Sequence, residues 1–283
     1  MLLAPMEDRR PALRLQRASG ESRVAFDLRD GRTRLADLYQ RDPCRVLFPE
    51  PEPGEPPLAV MLTTSGGVTD GDSLKMAIEI GPRASAVATT QAAEKIYRAA
   101  KGDGHCAIDV AVRVSEGAVL DWLPQETIVF EGARLKRRTE AEVEPGGSLL
   151  ACEMVVLGRA ASGERFTRGL LLDSWSVRRP SPHKSGRLVW TDTLRVEGET
   201  PTGAGFGAAN ALATVIGVWD EPQPQFEKAR ALLETAAEVR AGVTLVNGVM
   251  VARILGEATM VRAAVIRFLT DFRGRRLPRV WHV

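Results

Sequence analysis

The sequence predicts a mainly β protein with stacked or sandwiched, largely antiparallel sheets and a small C-terminal α part of about two helices. Two observations predict this class. Between residues 85 and 196, short apolar runs recur about every ten residues with turn signals between them, as in stacked strands. From residue 221 onward, apolar residues recur instead at the spacing of amphipathic helices.

The first predicted element is a hairpin. Residues 14–29 and 33–39 read as two strands around Asp30-Gly31, and Asp-Gly between apolar runs is a strong signal for a two-residue turn. The next segment, 49–57, carries five prolines, which have no amide hydrogen to donate to a sheet. It is therefore predicted to be an exposed loop.

The central strands follow from alternation and from turn residues. Every second residue from Ile108 to Val114 is aliphatic, so one face of that strand is apolar. Charge on both faces of residues 135–143 predicts an edge or exposed strand. The predicted strands in this part of the chain are residues 107–114, 118–122, 127–130, 135–143, 149–158, 166–177 and 187–196.

Residues 89–98 (TTQAAEKIYR) allow two interpretations. Thr90 followed by Glu94 resembles a capping pattern and suits a short helical turn. A strand competes with it, because the preceding residues 84–88 favour β structure.

Two helices and a hairpin are predicted near the C-terminus. One helix starts after Pro224, and the other spans residues 260–272 with its apolar residues on one side. Residues 242–254 between them read as a hairpin turned at Asn247-Gly248. The helices need an apolar surface to pack on, and the sheets provide it. We expect one domain over residues 1–283, β-rich to 220 and α-containing from 221.

Composition narrows the functional classes. Lys and Arg total 38 against 36 for Asp and Glu, a balance that gives no reason to expect nucleic acid. The three cysteines form no CxxC pair, which favours a reducing compartment over a disulfide framework. No apolar stretch is long enough for a signal peptide or a membrane span. A cytoplasmic protein is expected.

Motifs of catalysis are missing from the sequence. The three histidines, His105, His183 and His282, form no HxH or HExxH pattern for a metal enzyme. GxSxG and the nucleotide-binding GxxxxGK[ST] are also absent. The sequence therefore points to a protein that guides or holds something, with no stably bound cofactor.

Carboxylates in apolar surroundings are the candidate functional groups. The segment 120–135 (LDWLPQETIVFEGARL) sets Glu126 and Glu131 among strand-forming residues. A charge placed there must be solvated, paired or coordinated, because bare burial costs several kcal/mol. The alternative is that each carboxylate pairs with an arginine such as Arg98 or Arg134.

The glycine-rich segment 63–72 (TTSGGVTDGD) supplies two further carboxylates. It either aims Asp70 or Asp72 into a cavity, or forms an ordinary turn whose aspartates cap backbone N–H groups. Tyr97 and Arg98 are candidates to line the same cavity or to contact a partner. Arg98 could equally form a surface ion pair, which contributes little.

These segments, in this order, resemble the UreD (also called UreH) family of urease accessory proteins. The resembling segments also include residues 31–49 (GRTRLADLYQRDPCRVLFP), 158–164 (GRAASGE), 186–192 (GRLVWTD) and 278–281 (PRVW). The chain departs from the family pattern at Thr63-Thr64-Ser65, where an asparagine usually precedes Thr or Ser before Gly-Gly. Asp72 matches the family's aspartate.

The resemblance implies a non-catalytic role in a hetero-oligomer with UreF, the GTPase UreG and urease apoprotein. The family's proteins are thought to give nickel an internal passage to the enzyme. Nickel in transit needs weak oxygen donors, since thiolate and imidazole sets would trap it. Asp72, Glu126 and Glu131 are therefore our hypothetical contacts along that route.

Two other functional classes are compatible with the sequence. A hydrolase could use Asp72 and Glu126 as an acid–base pair, if the fold places both in one pocket. A generic β-rich scaffold could bind proteins without any metal, and it should then carry an exposed apolar patch.

Overall fold

The computed structural model describes residues 16–100, 103–159, 162–180, 186–198 and 205–282. These residues form two β-sheets and two helices near the C-terminus. The predicted class, mainly β in stacked sheets with a small C-terminal α part, is confirmed.

The first sheet has seven strands. They are β1 (Ser19–Arg29), β2 (Arg32–Arg41), β5 (Ser73–Ile80), β8 (Cys106–Val114), β11 (Arg134–Val143), β13 (Leu170–Arg179) and β14 (Arg187–Glu197). Their order across the sheet is β14-β13-β11-β8-β5-β1-β2.

The second sheet has ten strands. They are β3 (Cys44–Leu47), β4 (Leu58–Thr63), β6 (Ser85–Thr90), β7 (Glu94–Ile96), β9 (Val119–Leu123), β10 (Thr127–Val129), β12 (Ser148–Leu157), β15 (Ala211–Val218), β16 (Arg240–Val246) and β17 (Val249–Gly256). The main order is β16-β17-β15-β12-β9-β6-β4-β3, and β10 joins β12 to β7 beside it.

Strand pairing is mixed, so the prediction of largely antiparallel sheets is wrong. In the first sheet, β1, β5, β8, β11 and β13 all run parallel, and only the edge pairs β1–β2 and β13–β14 are antiparallel. The cause is the path of the chain, which crosses to the other sheet after β5, β8 and β11. Each return to the first sheet therefore runs in the same direction. The turns after these strands connect the two sheets and do not join neighbouring strands of one sheet.

Strand β11 lies in the middle of the first sheet, between β8 and β13. The prediction of an edge or exposed strand for residues 135–143 is therefore wrong. Its charged residues mostly alternate onto the outer, solvated face, while Leu135, Arg137 and Thr139 point inward and are buried. Charge on one face does not prevent a strand from having neighbours on both sides.

Both predicted hairpins are confirmed. Asp30 and Gly31 have φ of 50° and 71°, and Asn247 and Gly248 have φ of 48° and 80°. Positive φ at both central residues is the geometry that matches the twist of the flanking strands. For residues 89–98 the strand interpretation is correct, because β6 and β7 occupy that segment in place of a helical turn.

Two apolar layers hold the elements together. One lies between the two sheets, and the other lies between the second sheet and helices α1 (Gln223–Glu234) and α2 (Ala258–Arg273). β12 is consequently buried along nearly its whole length. A short 3-10 helix, Arg279–His282, ends the described chain. No helix among the described residues has the length and apolar character to cross a membrane.

Candidate functional site

The predicted site residues lie around two short parallel strands. β10 pairs with β7 on one side and with β12 on the other. Val68 forms a bridge to Ile96, and Arg98 forms one to Ala133. We call this connected backbone, residues 64–72, 94–98 and 126–133, the β7–β10 strip. All six predicted residues lie on it.

Asp70 is buried and accepts hydrogen bonds from several donors. Arg17 Nη2 lies 3.2 Å and the backbone N–H of Ala100 2.7 Å from its carboxylate. Burial raises the pKa of Asp70, but the bond from Ala100 and the charge of Arg17 more than offset this, so its pKa lies below the ordinary value. Asp70 is therefore a charged carboxylate with structural partners.

Asp72 is also buried, and both its oxygens accept backbone N–H groups. Oδ1 lies 2.8 Å from the nitrogen of Ala18, and Oδ2 lies 2.8 Å from the nitrogen of Thr69. This geometry matches the capping alternative for the glycine-rich turn. The turn fixes the start of β5 against the segment that leads into β1.

Glu126 lies just before β10 and faces helix α2. Its Oε2 accepts a hydrogen bond from Arg262 Nη1 at 2.5 Å, and the same Nη1 lies 2.9 Å from Gln125 Oε1. Arg262 also donates to the carbonyl of Trp281, and the Trp281 indole donates to the carbonyl of Leu123. The side-chain amide of Gln125 donates to the carbonyl of Val280. We call Arg262, Val280 and Trp281 the C-terminal clamp, because they hold residues 123–126.

Glu131 lies just after β10 and is saturated with donors. It accepts bonds from the backbone N–H groups of Thr167 and Arg168, the Thr167 hydroxyl and Arg168 Nε. Burial raises the pKa of Glu131, but these hydrogen bonds lower it more, to about 2. Among the described residues, Asp72 and Glu126 have different hydrogen-bond partners on different elements.

Tyr97 and Arg98 lie at the exposed end of the strip. The Tyr97 hydroxyl donates to the carbonyl of Gly66 at 3.0 Å, and its ring meets that of Phe130 edge-on. The side chain of Arg98 is exposed and packs over Gly132, where its Cγ would lie 3.1 Å from an added Cβ. Arg98 and Arg134 are not the partners of Glu126 and Glu131. Glu126 pairs with Arg262, and Glu131 pairs with Arg168.

Glu94, on β7, was not singled out as a functional residue by the sequence. Its carboxylate accepts a long hydrogen bond of 3.3 Å from the Thr63 hydroxyl. Burial raises the pKa of Glu94 to about 7. This group therefore changes charge near neutral pH, unlike Glu131 on the same strip.

Sequence reasoning also missed a buried ionic cluster between the two sheets. Arg137 donates to both oxygens of Asp173, at 3.0 and 2.6 Å, and to the Thr127 hydroxyl at 2.8 Å. Glu153, on the facing sheet, pairs with Arg137 and accepts the Trp175 indole N–H. The sequence signal that could have revealed this cluster is Arg137, because it lies at an inward position of an alternating strand.

Burial shapes the protonation of this cluster. It raises the pKa of Glu153 to about 8, with the nearby charge of Asp173 adding to the effect and Arg137 opposing it. Burial lowers the pKa of Arg137, but the two carboxylates more than offset this and keep it charged. The cluster thus holds one permanent cation, Arg137, between the two carboxylates of Glu153 and Asp173.

A cavity of about 150 Å³ adjoins the cluster. At its rim, Arg253 on β17 pairs with Asp192 on β14, so the two sheets are linked there by charge. The cavity is lined by Glu153, Val155, Asp173, Trp175, Asp192, Thr193, Leu194, Leu212, Thr214 and Arg253. It is a space between the two sheets that opens beside exposed residues, with three carboxylates among apolar lining residues.

Thiols and histidines build no site in the described part of the chain. No three His, Cys, Asp or Glu side chains there are arranged to hold a metal ion. The three cysteines are free and buried, and burial raises the pKa of Cys44 to about 11 and of Cys106 to about 12. Protonated thiols are poor metal ligands.

Known proteins similar to this chain agree on one family. The family model described as UreD urease accessory protein matches residues 18–282. A urease accessory protein UreD of Magnetococcus marinus is 38% identical over 95% of each chain. UreD 3 of Methylorubrum extorquens is 40% identical over 97% of this chain and 93% of its own. UreD 1 of Methylobacterium radiotolerans is 42% identical over 89% of this chain and 86% of its own.

These matches, on a β-rich fold with carboxylates inside it, define the class as urease accessory proteins, which serve urease maturation. The chain belongs to the UreD family.

Proposed function

We propose that this chain is a non-catalytic urease maturation factor in the cytoplasm. It docks on urease apoprotein with UreF and UreG and helps deliver nickel to the active site through an internal passage. Family membership supports the maturation role, and the carboxylate-lined cavity between the sheets is the observation that carries the passage.

The chemistry of the cavity suits an ion in transit. Glu153, Asp173 and Asp192 offer oxygen donors, which bind nickel more weakly than thiolate or imidazole sets do. Arg137 and Arg253 compete with the ion for these oxygens. A carboxylate that already has a partner releases a metal ion easily, which favours passage over storage.

Asp72, Glu126 and Glu131 stay proposed contacts on the route. Their oxygens already accept N–H groups, so nickel would have to displace those donors. Glu153 and Asp173 are stronger candidates because they line an open cavity.

The test is urease activation with cavity variants. Glu153→Gln and Asp173→Asn should each lower nickel per urease and urease activity by roughly tenfold, the scale seen when groups around a metal are altered. Glu140→Gln, on the exposed face of β11, is the matched control and should activate normally. Nickel content is measured after co-purification, with complex formation checked by size exclusion. Unimpaired activation by both cavity variants would remove the passage.

The same assay tests the residues proposed from sequence. Asp72→Ala and Glu126→Ala, with the complex intact, should reduce nickel insertion if these carboxylates contact the ion. Normal insertion with either variant would assign that residue a structural role alone.

A further inference from the structure

β2 is an edge strand with one unpaired side. Among the described strands it pairs with β1 alone, over nearly all of its ten residues. A strand of that length presents about 33 Å of backbone whose N–H and C=O groups can pair with another chain. β2 is therefore available for strand addition.

The core-facing side of this edge is apolar and incompletely covered. Val24 and Phe26 are buried, and their cross-strand neighbours Leu38 and Leu35 share their face. We define the β2 apolar patch as Leu28, Leu35, Leu38 and Phe48, which are 38, 40, 37 and 40% exposed. Exposed apolar residues scattered singly need no explanation, but four on one edge mark an interaction surface.

The outer side of the same edge carries unpaired positive charge. Arg32 and Arg34 lie on the face of β2 opposite to Leu35 and Leu38. Both are exposed, and neither forms an ion pair with any described residue. Other charges on this face are paired, since Arg23 contacts Asp37 at 3.2 Å. The edge thus presents apolar side chains on one face and free arginines on the other.

We propose that β2 is a docking edge for an extended segment of a partner protein. The segment adds one strand to the first sheet, with apolar residues over the β2 apolar patch and acidic residues opposite Arg32 and Arg34. Backbone hydrogen bonds supply affinity in this mode, and alternate side chains supply specificity. This inference rests on the proposed function only for the identity of the partner.

A second copy of the chain fits the edge less well. In an antiparallel pair that sets Leu35 against Leu38 of the other copy, Arg32 meets Arg41 of that copy. Like charges directly opposite each other destabilise a sheet.

The first experiment tests the chemistry of the edge directly. Two peptides, one of alternating Val and Glu and one of alternating Val and Lys, are titrated against the full chain by fluorescence anisotropy. The acidic peptide should bind at least about tenfold more tightly, and the variant R32E/R34E should reverse the preference. The proposal is overturned if both peptides bind equally or if neither binds. It is also overturned if copies of the chain associate through β2 and so prevent both peptides from binding.

The second experiment identifies the partner. Purified urease apoprotein, UreF and UreG are each tested for binding to the wild type, to L35S/L38S and to L188S. Leu188 is 44% exposed on β14, the opposite edge of the same sheet, and is the matched control. One partner should lose at least about tenfold in affinity for L35S/L38S alone. If the wild type binds at least one of the three proteins and L35S/L38S weakens none of these interactions, the proposal is overturned.

The two proposals fail separately. If the wild type binds none of the three proteins but still selects the acidic peptide, the proposed docking on urease fails and the β2 edge stands. If all three bind and the peptides are not distinguished, the edge fails and the docking stands.

Discussion

Carboxylates on the β7–β10 strip differ in the number of donors that reach them. Glu131 accepts four hydrogen bonds from Thr167 and Arg168, whereas the bond from the Thr63 hydroxyl to Glu94 is long. The pKa of Glu131 is therefore lowered to about 2, and burial raises that of Glu94 to about 7. Glu131 is a fixed anion that ties residues 167–168 to the strip, while Glu94 is able to exchange a proton near neutral pH.

Replacing Glu131 by Gln should destabilise the protein in a pH-dependent way. Its folded pKa of about 2 lies below the ordinary value of 4.5, so its contribution is present above pH 4.5 and is lost as pH falls toward 2. We expect E131Q to lower the free energy of unfolding by about 1–2 kcal/mol at neutral pH. Thermal unfolding across this range measures it, with E140Q as the exposed control. A deficit that stays constant down to pH 2 would contradict the assignment.

At the scale of elements, the C-terminal clamp determines where the loop before β10 lies. Arg262 projects from α2 and binds Gln125, Glu126 and the carbonyl of Trp281. Its guanidinium also lies over the Trp281 ring, 5.3 Å from the centroid. The segments 120–135 and 278–281, both part of the family resemblance, are thus in contact although they are far apart along the chain.

Removing the arginine of the clamp should loosen that loop. Arg262→Ala leaves Gln125 and Glu126 without their shared donor, and we expect a loss of roughly 2 kcal/mol in the free energy of unfolding. Arg267→Ala, the same change on the exposed side of α2, should cost little. Chemical denaturation measures both, and hydrogen exchange at residues 123–126 locates the effect. Equal losses for the two variants would show that the clamp contributes nothing specific.

At the scale of the whole molecule, an ionic cluster joins two sheets whose contact is otherwise largely apolar. Arg137 and Asp173 come from the first sheet and Glu153 from the second. A buried ion pair gains little over an apolar replacement, but breaking it leaves an uncompensated charge. The cluster and its cavity therefore place polar chemistry inside the sandwich at a cost in stability.

Arg137→Met should be among the most destabilising single changes in this protein. Asp173 would remain buried without its cation, and we expect a loss of about 3–5 kcal/mol. Arg138→Met is the neighbouring control, because Arg138 is 61% exposed on the outer face. Urea denaturation of both variants measures the difference. Similar midpoints for R137M and R138M would mean that the cluster is already solvated through the cavity.

The sequence by itself determined both hairpins, both helices and the apolar faces of many strands, but it did not predict strands β3, β4, β5 and β15. Hairpin turns at Asp30-Gly31 and Asn247-Gly248, the apolar faces of the strands and both helices follow from local periodicity and backbone preference. Segments 63–72 and 120–135 were recognisable because they place charge in apolar, strand-forming surroundings.

Only the tertiary structure decided the direction of strand pairing and the partner of each charge. The path of the chain between two sheets makes the central strands parallel, and no local pattern encodes that path. Arg137 meets Asp173 across 36 residues of sequence, and Arg262 meets Glu126 across 136. Periodicity shows which face a side chain occupies, but the element that faces it depends on how the layers stack.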